Sequence, residues 1–180
     1  ENQELFNLLE QLPDIIKDSF QLENQVQNVI PFFRNSEHLL IFGRGLLYGL
    51  VQESDLKIKE TSYLDARCYS ASDYQHGPIA TSLSFVPTIF FIADKQTDKS
   101  IIQLHQRLKE EKNIFSLIIS NKDNISELGD LSIKIPHQYD GLSAVFVCAI
   151  ISQMFACLLS IARGYNPDSP IGVSKHTVTI

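Results

Sequence analysis

His38-Leu39-Leu40-Ile41-Phe42, closed by Gly43-Arg44-Gly45, decides the fold. A short continuous apolar run without polar alternation predicts a strand buried on both faces, and such strands belong to parallel sheets. The glycine-rich turn then opens a helix over about Leu46 to Tyr63. Downstream, Arg67 to Tyr69 is a short strand and Pro87-Thr88-Ile89-Phe90-Phe91-Ile92-Ala93 a strong one. A helix over Thr97 to Lys112, a strand over Ile114 to Ser120 and a short strand over Leu131 to Ile135 follow, the last ended by Pro136. A long helix runs from Leu142 to about Arg163, with Gly164 placed as its stop. Strands alternating with helices predict a three-layer α/β/α sandwich around a five-stranded, mainly parallel sheet. Ligands bind such sheets outside the carboxyl ends of the strands, so Gly43, Arg44 and Gly45 are expected to border a site. The Gly-x-Gly pair alone is a weak phosphate-loop signal, because it lacks the third glycine of a dinucleotide fingerprint.

Upstream of that strand, residues 1–36 carry apolar positions at helical spacing. Leu5, Leu8, Leu9 and Leu12 form one stripe, Pro13 is expected to break it, and Ile15, Ile16, Phe20, Val26, Val29 and Ile30 form a second. The chain divides into a helical lead-in over 1–36, an α/β domain over 37–165 and an irregular tail over 166–180.

Composition narrows the class. The 180 residues suit one ordinary domain, and 44% hydrophobic with 20% charged residues is a normal globular balance. A net charge of −6 and the absence of a Lys/Arg cluster argue against a nucleic-acid partner. The cysteines Cys68, Cys148 and Cys157 match no zinc or Cys-x-x-Cys spacing, so no metal is expected. Cys148 and Cys157 fall in an apolar helical run and are expected to act as small core residues in a reducing cytoplasm. The start Glu1-Asn2-Gln3-Glu4 does not read as a signal peptide. The run Ala144 to Ala162, interrupted by Ser152 and Gln153, reads as a helix covering the sheet and not as a membrane span.

The helix after Gly45 carries the chemistry. Leu46, Leu47, Leu50, Val51 and Ile58 share one side; Gln52, Asp55 and Lys59 lie opposite as a wet face. Glu53, Lys57 and Glu60, spaced i, i+4, i+7, stack along a line between Leu56 and the Leu46/Leu50 side. Such a line is either a surface salt-bridge ladder or a proton-transfer device, in which one carboxylate is a base and the ammonium stabilises developing negative charge. His76-Gly77-Pro78 sits at a turn, where a histidine is an ordinary exposed residue unless a site lies nearby.

Gly43-Arg44-Gly45, the run Glu53-Ser54-Asp55-Leu56-Lys57-Ile58-Lys59-Glu60-Thr61-Ser62-Tyr63, His76-Gly77-Pro78-Ile79-Ala80 and the ending Ser174-Lys175-His176-Thr177-Val178-Thr179 occur in an order that resembles one family. They are similar to the second (C-terminal) SIS domain of the glucosamine-6-phosphate synthase family, and equally to related phosphosugar isomerases with two SIS domains. The resemblance covers nearly the whole chain and implies a flavodoxin-like SIS fold. It implies aldose–ketose isomerisation of a hexose or amino-sugar 6-phosphate, without a cofactor. By that resemblance Glu60 is the general base between C1 and C2 and Lys57 stabilises the enediolate-like or enolamine-like intermediate, with Glu53 its partner one turn earlier. His76 opens the sugar ring, reaching the site of a neighbouring subunit, so a homodimer is implied. Lys175 forms an imine with the open-chain ketose, and Ser174 beside it joins Gly43, Arg44 and Gly45 as substrate-binding residues.

Two departures concern the substrate: Ser72-Asp73 stands where the family commonly has a Gly-Glu-like pair, and Ile171 follows Pro170 where it commonly has Arg. The family's phosphate-holding Ser-x-Ser-Gly-x-Thr run is missing, Ser82-Leu83-Ser84 being a poor match. The chain therefore reads as one half of a longer protein, partnered by a preceding SIS domain, able to fold alone but not to turn over. A deaminase or deglycase of amino-sugar or fructosamine 6-phosphates needs the same proton transfer, and a sugar-phosphate-binding sensor needs neither Glu60 nor Lys57.

Overall fold

The computed structural model describes residues 2–81 and 84–172. The elements follow in the order α1 (Asn2–Ser19), α2 (Glu23–Val29), β1 (His38–Gly43), α3 (Leu47–Ser62), β2 (Asp65–Ser70), α4 (Ala71–Tyr74), β3 (Pro87–Ile92), α5 (Asp98–Lys112), β4 (Phe115–Ser120), α6 (Asp123–Ser126), β5 (Leu131–Lys134) and α7 (Leu142–Ala162). The five strands form one sheet in the order β2-β1-β3-β4-β5. Every pairing is parallel, with Gly43 beside Ser70 and Phe42 beside Phe90.

The continuous apolar runs occupy the centre. From Leu39, Thr88 and Ser116 onward, β1, β3 and β4 are buried on both faces, whereas the edge strands β2 and β5 expose Arg67 and Lys134. Charge at an edge blunts pairing with another sheet. Alternate residues feed two cores. Leu39, Ile41, Ile89 and Phe91 join Val51 and Ile58 of α3, Val26 of α2 and Phe155 of α7. Leu40, Phe42, Phe90 and Ile92 join Ile101, Leu104 and Leu108 of α5 on the other face. At roughly 25 cal/mol per Å² of buried apolar surface, these two layers are the main favourable contribution to folding.

The lead-in differs from its expected form. α1 continues through Pro13, and the break falls at Phe20–Leu22, a 3₁₀ turn. Pro13 is exposed, so the carbonyl it deprives of a helical partner on the solvent side is free to bond water. Ile15, Leu22, Val26, Val29, Ile30 and Phe33 are buried in the same core as the sheet. α7 is long and apolar enough to cross a membrane by length and composition, but half of its most apolar window is buried within the protein. Ser152 bonds Ser54 of α3 at 2.7 Å within that layer. Cys148 is buried, its thiol pushed up to about 12 by that burial, while Cys157 is exposed and not the core residue expected. It lies nine residues, 2.5 turns, beyond Cys148, which turns it to the opposite face.

On the other face a polar chain ties α5 to β4. Lys109 Nζ donates to both Asp130 carboxylate oxygens, at 2.7 and 2.6 Å. Ser116 donates its amide (2.7 Å) and its hydroxyl (3.0 Å) to Asp130 Oδ2. The Ser116 hydroxyl thus remains an acceptor for His105 Nε2, 3.0 Å away. Burial, aided by Lys109, lowers the His105 pKa to about 4.

Candidate active site

α3 is amphipathic because Leu47, Leu50, Val51, Ser54 and Ile58 face the sheet and α7. Leu46 precedes the helix and is exposed, so it does not belong to that apolar side. Asp55 also departs from expectation: its side chain is only 14% exposed, paired with Lys59 at 2.7 Å. It faces Cys68 on β2, whose thiol is raised chiefly by burial and then by the Asp55 charge.

The stacked line forms as the spacing requires. Lys57 Nζ lies 3.0 Å from Glu60 Oε2 and 3.7 Å from Glu53 Oε1. All three side chains are partly exposed, between 31% and 48%. The Lys57 pKa is raised, first by its hydrogen bond to Glu60, against the opposing effect of burial, with the charges of Glu60 and Glu53 adding to it. A carboxylate held beside a fixed ammonium and open to solvent has the equipment for moving a proton at a bound carbon acid.

The end of α3 is clamped. Thr61 Oγ1 bonds the Lys57 carbonyl at 2.8 Å, and Ser160 Oγ of α7 donates to the Thr61 carbonyl at 2.7 Å. Arg163 donates Nε to the Ser62 carbonyl at 2.9 Å and Nη1 to the carbonyls of Arg34 and Ser36, both at 2.8 Å. The bonds to the Thr61 and Ser62 carbonyls satisfy groups that a helix end leaves without partners, and they hold Glu60 one or two residues away. Neither Ser160 nor Arg163 stood out in the sequence; a basic residue just past the end of α7 signals only a helix end.

The other candidates lie elsewhere. Gly45 and Glu60 are fifteen residues apart along α3, about 22 Å at the helical rise, so one sugar phosphate does not span both. The glycines have local reasons. A Cβ on Gly43 would stand 2.5 Å from Val51 Cγ2, and Gly45 has φ +61°. A Cβ on Gly45 would also meet Asp94 Oδ2 at 3.0 Å. Asp94 is buried and accepts the Gln96 amide at 3.1 Å. A carboxylate therefore stands beside the turn at which phosphates commonly meet a helix N-terminus.

His76 is exposed and follows the carboxyl end of β2, whereas Glu60 precedes its start. Six strand residues, about 20 Å, separate the two levels within one chain. Lys175 and Ser174 lie outside the described residues, as do Ser82 and Leu83. Among the described residues no three His, Cys, Asp or Glu side chains are grouped to hold a metal ion.

A parallel sheet in the order 2-1-3-4-5, with a carboxylate–ammonium–carboxylate line on its first crossover helix, defines a doubly wound α/β domain of flavodoxin-like form. A family profile described as the SIS domain matches residues 32–163, and the chain belongs to that family of sugar-phosphate isomerase domains. It is 30% identical over 179 residues to a glutamine–fructose-6-phosphate aminotransferase [isomerizing] of Legionella pneumophila, covering 99% of this chain and 29% of that protein. The C-terminal domain of glucosamine-fructose-6-phosphate aminotransferase from Francisella tularensis superposes with a TM-score of 0.80 at 20% identity, covering 92% of this chain and 48% of that one. Tagatose-6-phosphate ketose/aldose isomerase from Escherichia coli superposes with a TM-score of 0.73 at 21% identity, over 98% and 48% of the two chains. The chain thus spans under a third of that curated relative and about half of each solved one.

Proposed function

We propose that this chain is the catalytic-helix half of a phosphosugar isomerase that interconverts an aldose and a ketose 6-phosphate, or their amino-sugar forms. The observation that carries the reading is the Lys57 ammonium held 3.0 Å from the Glu60 carboxylate, on a partly open helix face. Glu60 takes the proton from one of C1 and C2 and returns it to the other. Lys57 stays charged and stabilises the oxygen or nitrogen that gains electron density between the two transfers. Glu53, 3.7 Å from the same ammonium, holds Lys57 from the other side. Lys175 condenses with the open-chain ketose to an imine with loss of water, and Ser174 beside it contacts the substrate.

His76 opens the ring of a sugar bound to a second copy of the chain, because within one chain it stands at the other end of β2 from Glu60. The phosphate anchor belongs to a preceding SIS domain, an assignment supported by the Asp94 carboxylate beside the Gly45 turn. Residues 1–36 then link that domain to the α/β unit over 37–165, and 166–180 form the tail that completes the site. The 180 residues alone are expected to fold but to leave fructose 6-phosphate and glucosamine 6-phosphate unbound in calorimetry and unchanged. Adding the preceding domain, in cis or in trans, restores binding and turnover. Robust turnover by the 180 residues alone would contradict this reading.

A further inference from the structure

The last turn of α3 ends on a residue whose backbone is unfavourable for its type. Tyr63 adopts the left-handed conformation, with φ 51° and ψ 36°. Helices commonly end on such a residue, but glycine, and after it asparagine, is the usual occupant, because a Cβ is strained there. A tyrosine held in this region points to a use for its side chain.

The side chain has one. The chain leaves α7 at Gly164, and Asn166 turns it back by accepting the Asp168 amide on Oδ1 at 3.0 Å and the Ser169 amide on its carbonyl at 3.2 Å. This return brings two residues to Tyr63. The Tyr165 ring packs edge-on against it, with centroids 4.6 Å apart. The Ile171 amide donates to the Tyr63 hydroxyl, which lies 3.4 Å from the Ile171 carbonyl. Ile171 itself is 75% exposed, so its side chain contributes little to this contact. The segment is held by the phenol, three residues beyond Glu60.

We propose that Tyr63 is a positioning residue that docks the returning segment 165–171 on the Glu60 end of α3. Lys175 follows Ile171 by four residues, at most about 14 Å of extended chain. The dock therefore limits the chain length by which the lysine can stray from the end of α3, and its use at the Glu60 carboxylate rests on the roles proposed above for Glu60 and Lys175. A dock of this kind raises the local concentration of the amine at the site without touching the sugar.

The test uses Tyr63→Phe and Tyr63→Gly in the full-length protein. Phe removes only the hydroxyl. Gly removes the dock while relieving the backbone, so a loss in that variant is not a loss of folding. Two readouts are taken: exchange of the Ile171 amide with deuterium, and the yield of borohydride-trapped fructose 6-phosphate adduct on Lys175. The Ile171 amide is expected to exchange about five- to tenfold faster in both variants. Adduct yield is expected to fall in Tyr63→Phe and further in Tyr63→Gly, with the melting temperature of Tyr63→Gly equal to or above that of the parent. Unchanged Ile171 exchange in both variants would overturn the dock. Faster exchange with unchanged adduct yield would overturn its positioning role. If the parent protein forms no adduct on Lys175, the lysine assignment fails and the positioning role with it, while Ile171 exchange still decides the dock.

Discussion

The ammonium of Lys57 donates to the carboxylate of Glu60 at 3.0 Å, one helical turn apart. The bond is the first cause of the raised Lys57 pKa, so its protonation is linked to the presence of Glu60. Protonated Lys57 contributes stability that is complete below the ordinary lysine value and is lost as pH rises through the higher folded one. Because the pair is partly exposed, salt weakens the effect. In Glu60→Gln the Lys57 amine is expected to titrate at lower pH than in the parent, as followed by nitrogen NMR. An unchanged titration would mean that the 3.0 Å contact is not populated in solution.

His105 gives the fold a defined acid limit. Its Nε2 faces the Ser116 hydroxyl, and its Nδ1 is buried and has no hydrogen-bond partner among the described residues. Protonation there adds a donor with nothing to accept it. With an unfolded value near 6.5 and a folded value of about 4, the ring contributes stability present above the unfolded value and lost as pH falls toward the folded one. The loss between pH 7 and pH 4 is roughly 3 kcal/mol. His105→Gln keeps a donor toward Ser116 and removes the titration. Urea unfolding at the two pH values is expected to show a smaller acid loss in the variant.

Arg163 joins the end of α7 to three carbonyls, those of Ser62, Arg34 and Ser36. Arg163→Ala is expected to destabilise the protein by roughly 2–3 kcal/mol and to lower turnover through the loosened end of α3. Arg163→Lys is expected to rescue little, because an ammonium lacks the planar fork that reaches several acceptors. Thermal unfolding with parallel kcat measurements checks both; full rescue by lysine would show that charge alone matters.

Much of the fold is legible in the sequence because its signals are local. Apolar runs without alternation gave three central strands, and Gly164, with φ +84°, ends α7 where a glycine stop was placed. The Glu53-Lys57-Glu60 line follows from helical spacing alone. What was hidden is tertiary. Pro13 is tolerated because its side of α1 is wet, and Cys157 turns outward although its immediate neighbours in the run are apolar. Gly43-Arg44-Gly45 and the Glu53-Lys57-Glu60 line are both legible, but the distance between them along α3 emerges only once the helix is built. The roles of Tyr63 and Arg163 arise from chain segments more than 90 residues away in sequence.

The position of His76 makes its own demand. It stands beyond the carboxyl end of β2, and Glu60 precedes that strand's start. A mixture of His76→Ala and Glu60→Gln full-length proteins is therefore expected to regain activity as subunits exchange, since one mixed site holds both intact groups. Recovery is measured as isomerisation against each variant alone. No recovery despite demonstrated exchange would place His76 at the site of its own chain.

Exchange of the substrate C2 hydrogen with solvent tests the central claim most directly. Glutamine at position 60 keeps the shape of the side chain and removes the base. In full-length Glu60→Gln the exchange rate is predicted to fall by about 10²–10⁴, with binding of the sugar phosphate still measurable by calorimetry. Exchange that proceeds in the variant at the parent rate would contradict the assignment of Glu60 as the group that moves the proton.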